Sequence, residues 1–316
     1  MKALYSRAYL DHIAFNDMLV PFERYLYKLE HQRKAIAKLK FHEKDFLFRA
    51  MHAFYEASGD KRYDVYKVPE LRESLFYWII LLHSNMTMVF DGFITGPDHK
   101  PLTPKEKRRN KRFFYEYLSV WKNQIEKGEG AYFSILKLEI HRKLNDWRAL
   151  AENNSISLDT LKQKEIFIFG CFFNIYYHVK LFFDEFQKPF IIKQINGIDV
   201  VCNVYSFVHI YSRHYIPNMN KELNDASMNP EIKLVNLDEL PISIFDLLEQ
   251  YNSWKPITTD TEYCLFLCDG EKYILWLKYK KLNETKHNGL EIRSFYKCVK
   301  EVDLLKFQIN NWLVLK

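Results

Sequence analysis

Glycine and proline are scarce in this chain, with 9 and 10 copies among 316 residues. So few helix breakers exclude collagen-like, linker-dominated and loop-built architectures and favour long regular elements. Cysteine is sparse as well. Its five copies, at 171, 202, 264, 268 and 298, are odd in number, confined to the second half and set among apolar residues. That pattern fits buried thiols in a reducing cytosol better than a disulfide scaffold. Cys264 and Cys268 are close in sequence, but this spacing lacks neighbouring His or acidic ligands in a recognisable metal pattern, so neither a metal nor another cofactor is expected. Asp11 and His12 interrupt the stretch where a signal peptide would be continuously apolar. The longest apolar tract, at 76–90, is shorter than a bilayer span and carries polar groups. A cytoplasmic protein without a membrane partner is the expectation. The phosphate-loop, dinucleotide and zincin motifs are all missing.

Bulk and charge are what the chain does have. Hydrophobic residues make up 48% and aromatic residues 16%, with 25 Phe and 21 Tyr, enough to build a core and exclude wholesale disorder. The length suits two domains. The net charge of +6 is unevenly spread: residues 1–150 hold 27 Lys and Arg against 19 Asp and Glu, whereas 151–316 hold 19 against 21. Lys105, Lys107, Arg108, Arg109, Lys111 and Arg112 crowd into eight positions beside Phe113, Phe114 and Tyr115. Such a cluster can meet nucleic-acid phosphates; the competing reading is the solvated first turns of a helix.

The first half reads as helical. Leu26, Leu29, Ile36 and Leu39, then Phe46, Phe48, Met51 and Phe54, return to one side of one or two helices. Pro69 with Glu70 and Glu73 opens a nearly all-apolar helix that DGFITGPDHKPL breaks. Thr103 and Glu106 have capping-box spacing around Pro104, so another helix runs from there to the GEG near 130, and one more crosses 136–150. The segment at 164–186 can be strands or a buried helix. Asn196-Gly197 and Asp269-Gly270, each between apolar runs, predict hairpins. A helix enters at Asn203, and GLEIRSFYK supplies a strand whose simple alternation sets Arg293 opposite Ser294. The region 229–250 reads as a loop with one short helix. The expected fold is α+β: an N-terminal helical domain, 1–158, followed by an antiparallel-sheet domain with a packed helix, 159–316.

Chemistry concentrates in HIYSRH at 209–214. On a helix His209 and Arg213 share a face, with His214 on an adjoining one. Attack of a ribose 2′ oxygen on phosphorus needs a base, an acid for the departing 5′ oxygen and cations beside the phosphoryl oxygens. Histidine serves either proton-transfer role near neutral pH, and the guanidinium fork suits phosphate. The plainer alternative is a set of polar residues on an amphipathic helix.

The order of the helix bearing HIYSRHY, the hairpin CLFLCDGEKYILWLKY and the strand LEIRSFYK resembles the barnase, EndoU, colicin E5/D and RelE-like class of small ribonuclease domains found in toxins and phage-associated proteins. The resemblance covers about residues 195–300. It implies a helix packed on a compact antiparallel sheet and metal-independent RNA cleavage. The implied catalytic residues are His209, Arg213 and His214 on the helix, with Ser294 and Tyr296 on the closing strand. The basic N-terminal half would then attract the substrate. RNA is the expected partner, together with a homodimer and a protein inhibitor or regulator. Two other classes compete: a nucleic-acid-binding module without catalysis, whose aromatic strands stack bases, and a structural or protein-interaction module.

Overall fold

The computed structural model describes residues 36–82, 103–154, 156–215, 234–236, 239–298, 305–307 and 312–315. They fall into two compact units, one drawn from 1–123 and 180–187, the other from 124–179 and 188–316. The expected helical stretch at 21–35 and the break at 91–102 lie outside the described residues.

In the first unit, α1 (Phe41–Ser58) leads through three 3-10 turns, Lys61–Tyr63, Val65–Lys67 and Pro69–Leu71, into α2 (Arg72–Leu82), and α3 (Pro104–Lys127) follows. Each end has a local cause. Asp60 and Asp64 accept bonds from the amides of Arg62 (2.9 Å) and Tyr66 (3.2 Å), which closes the first two turns. At the start of α3, the Glu106 amide donates to Thr103 Oγ1 at 3.3 Å and the Thr103 amide donates to Glu106 Oε2 at 2.8 Å, the reciprocal cap that the sequence predicts. Phe46, Phe48, Phe76, Phe114 and Trp121 form a buried aromatic core, with the Phe76 ring 4.7 Å from that of Tyr117.

The second unit carries α4 (Ala131–Asn154), the first part of α5 (Leu158–Phe186) and the sheet. The ambiguity over 164–186 is resolved as helix: α5 runs for 29 residues, an apolar length no strand sustains and with no proline to break it. By length and composition α5 could cross a membrane, yet 78% of its most apolar window is buried inside the protein. The hairpin of β1 (Phe190–Ile195) and β2 (Ile198–Asn203) turns at Asn196-Gly197, and that of β3 (Tyr263–Cys268) and β4 (Glu271–Lys281) at Asp269-Gly270. All four turn residues have positive φ, from 50° to 78°, the tight turn that Asn-Gly and Asp-Gly favour. With β5 (Asn288–Lys297) and β6 (Leu313–Leu315) the sheet order is β1-β2-β5-β4-β3-β6. It is mixed: β2 pairs with β5 and β3 with β6 in parallel, and the other pairings are antiparallel.

A helix, α6 (Val204–Ile210), leaves β2 and widens into a π turn at Tyr211–Tyr215. Another, α7 (Leu240–Trp254), spans 15 residues, longer than the short helix expected, because Ile244, Phe245, Leu247, Leu248 and Tyr251 continue its buried stripe. The fold class is α+β, an N-terminal helical part followed by a sheet with a packed helix. All five cysteines are free thiols, four of them buried.

Candidate active site

The position of α6 follows from its first turn. Asn203, the last residue of β2, caps the helix by accepting a bond from the Ser206 amide at 3.1 Å. The Ser206 hydroxyl donates to the Ile292 carbonyl of β5 at 2.6 Å. The Asn203 side-chain amide donates to Glu291 at 3.2 Å and to Glu284 at 2.9 Å. Cap and sheet share two residues, so the helix is pinned to β5 where it starts.

On β5 the ladder with β4 skips a residue. Leu277 faces Ile292 and Trp276 faces Ser294, which leaves Arg293 as an extra, bulged residue. Simple alternation would send Arg293 and Ser294 to opposite faces. The bulge corrects that expectation, and both residues line one open cleft of about 940 Å³. The other walls come from Tyr205, His209 and Arg213 of α6 and its π turn, from 276–279 of β4, and from 259–262 of the connection before β3. The π turn widens the helical path between His209 and Arg213, and both still reach the same cleft.

Within the cleft the imidazole of His209 stacks on the Tyr205 ring, centroids 5.2 Å apart and 19° from parallel. The Arg293 guanidinium lies 4.4 Å from the same ring's centre and donates to the Tyr205 hydroxyl at 2.9 Å. Arg293 is held in turn by Glu291 at 2.5 Å, and Lys280 reaches the other oxygen of that carboxylate at 2.6 Å. Burial pushes the Glu291 carboxyl up, but the bonds from Lys280 and Arg293 and their charges prevail and hold it below the usual carboxylate range. Burial raises the Tyr205 hydroxyl, partly opposed by Arg293.

Behind His209 stands Glu139 of α4, 3% exposed, with Oε1 3.4 Å from His209 Nδ1 and Oε2 2.5 Å from Arg142. Burial again acts upward, but the bond to His209 and the charges of Arg142, His209 and Lys143 prevail, so the carboxyl titrates below its usual range. In the neutral tautomer that donates from Nδ1 to an ionised Glu139, the lone pair of the ring is on Nε2. Nε2 makes no hydrogen bond to the described residues.

Three of the sequence-predicted catalytic residues, His209, Arg213 and Ser294, therefore share one cleft. Tyr296 does not line it: its hydroxyl accepts from Trp276 Nε1 at 3.1 Å, and its ring packs against Leu265, Ile274, Cys298 and Phe307. The side chain of His214 lies outside the described residues. The basic cluster belongs to the first unit, on α3. Lys105, Arg108, Lys111 and Arg112 are exposed and Lys107 is half-buried. Arg109 is committed to the fold, paired with Asp64 and 3.6 Å above the Tyr66 ring.

Sequence reasoning missed Glu139, Tyr205 and the cleft position of Arg293. Glu139 had a readable signal, since Leu136, Glu139, Ile140, Lys143 and Trp147 repeat at helical spacing and are all buried. A charge on that stripe requires a partner. Among the described residues no group of three or more His, Cys, Asp or Glu could hold a metal ion. No protein-family model, curated protein or solved structure matches the chain.

Proposed function

We propose that the second unit is a metal-independent endoribonuclease acting at this cleft. One observation carries the reading: an imidazole that contacts a buried carboxylate through Nδ1, and whose Nε2 bonds to none of the described residues, lines a cleft that two arginines also line. His209 Nε2 takes the proton of a ribose 2′ hydroxyl. The 2′ oxygen bonds to phosphorus as the bond to the 5′ oxygen breaks, which leaves a 2′,3′-cyclic phosphate. The 5′ oxygen takes a proton from a second acid, and His214, adjoining Arg213, is assigned that role. Arg213 and Arg293 bind the phosphoryl oxygens where negative charge gathers, and Ser294 orients them. Tyr296 acts at one remove, holding the indole of Trp276 that lines the cleft.

The test is incubation of labelled single-stranded and structured RNA with the protein in EDTA, repeated with His209→Ala, Arg213→Ala and His214→Ala. Cleavage should leave cyclic-phosphate ends, and loss of the His209 base should slow it by roughly 10²–10⁴-fold. Intact RNA across a broad substrate set would overturn the enzyme reading. Salt-sensitive binding without cleavage would select a nucleic-acid-binding module instead, which the exposed Tyr279 beside Lys278 on the cleft also suits.

A further inference from the structure

The connection from α7 to β3 separates the cleft from a second groove of about 820 Å³. Asp260, Thr261 and Glu262 line both, so one short segment forms the rim of each hollow. The second groove is walled by Trp254 and Lys255 at the end of α7, by Tyr251 and by Tyr263. Trp254 is one of the exposed aromatic residues, with Tyr115, Phe186 and Tyr279. The residue is 43% exposed, and its indole stands edge-on to the Tyr251 ring at 5.5 Å. An exposed indole beside a lysine, next to a cleft lined by arginines, is the combination that holds a nucleobase and its phosphate: the ring stacks the base and the ammonium meets the backbone. The rim carboxylates Asp260 and Glu262 disfavour phosphate at the crossing itself. They favour a base edge there, since carboxylates accept hydrogen bonds from base amino groups.

From this shared segment we propose that the second groove is a subsite for a nucleotide beyond the two that flank the scissile phosphate, its base stacked on Trp254. The substrate is then a single strand that crosses the 258–262 rim, and a double helix, whose bases are already stacked, is excluded. The proposal rests on the ribonuclease reading for its catalytic half, but the groove can be tested without cleavage.

Two arms of one experiment decide it, both on the full chain. The first compares cleavage of a twelve-nucleotide single-stranded RNA with that of a dinucleoside monophosphate. Trp254→Ala and Lys255→Ala should lower kcat/KM on the longer strand by about tenfold and leave the short one unchanged, while Trp254→Phe, which keeps a ring against Tyr251, should lose less. An equal loss on both substrates, or no loss on either, overturns the subsite. The second arm titrates a 2′-deoxy twelve-mer, which cannot be cleaved by this route, and follows tryptophan emission. The oligomer should quench the parent protein, and Trp254→Phe should weaken binding and remove the Trp254 share of the quench, leaving that of Trp276 on the cleft. If the parent protein cleaves neither substrate but shows a quench that Trp254→Phe diminishes, the subsite stands and the ribonuclease reading fails. If Trp254→Phe leaves the titration unchanged, the subsite fails.

Discussion

A carboxylate on the buried stripe of a helix costs stability unless something answers it, and at Glu139 the answer is Arg142 and the imidazole of His209. Replacing Glu139 with Gln keeps the volume and removes the charge that favours the Nδ1-protonated tautomer of His209. Cleavage should fall by roughly 10²-fold or more while the circular dichroism spectrum is retained; unchanged kcat would remove Glu139 from the site. Glu291 yields a pH prediction. Its folded carboxyl titrates below the unfolded value near 4.5, so as pH falls the unfolded chain takes up the proton first. The stabilisation from Lys280 and Arg293 is therefore complete above that value and is lost as pH drops through the lower folded one. Urea midpoints measured from pH 7 to pH 3 should show this loss below about pH 5, and Glu291→Ala should be less stable at pH 7 and flatter in the acid range. Its cost should sit near the low end of the roughly 3–5 kcal/mol for breaking a buried pair, because both cations can reach water.

At the scale of elements, what the sequence made legible was local. Asn196-Gly197 and Asp269-Gly270 announce their hairpins because the chemistry of a tight turn lies within two residues. Thr103, Pro104 and Glu106 announce the start of α3 for the same reason. The bulge at Arg293 was not legible. It exists only in the pairing of β5 with β4, and it overrides the alternation that a single strand displays. The same limit applies to His209 and Glu139, which are far apart in sequence and become neighbours through the packing of α6 on α4. The joint between β2 and β5 is equally non-local and is tight. A Cβ on Gly289 would lie 2.4 Å from the Asp199 carbonyl oxygen and 2.5 Å from Leu282. Gly289→Ala must push the strands apart, and a loss of about 1–3 kcal/mol in equilibrium unfolding is expected; a neutral result would mean that the joint yields.

For the whole molecule, composition and periodicity carried the fold class, since scarce breakers give long helices and paired turn signals give a sheet. Charge carried less. The basic surplus of the first half is real, but on α3 one of its six cations, Arg109, is spent on Asp64 and Tyr66. The four exposed ones are Lys105, Arg108, Lys111 and Arg112, the last in an exposed pair with Glu116 at 3.6 Å that a polyanion can displace. Replacing all four with Gln should reduce the slope of log affinity for single-stranded RNA against log salt by about three, at roughly 0.7 per phosphate contact. Fluorescence anisotropy from low to moderate salt measures this, and an unaltered slope would show that RNA does not touch α3.

The parallel joint of β2 with β5 has a kinetic consequence. Each flanking antiparallel ribbon closes through short loops and can form within microseconds, whereas the joint must bring Val200 and Val201 to Leu290 and Glu291 across a long excursion of chain. His209 follows β2 in the chain, and Arg293 and Ser294 belong to β5, so the cleft has no meaning before that joint closes. In refolding, the RNA cleavage proposed for that cleft should be the last property to return, trailing the ultraviolet signature of the hairpins.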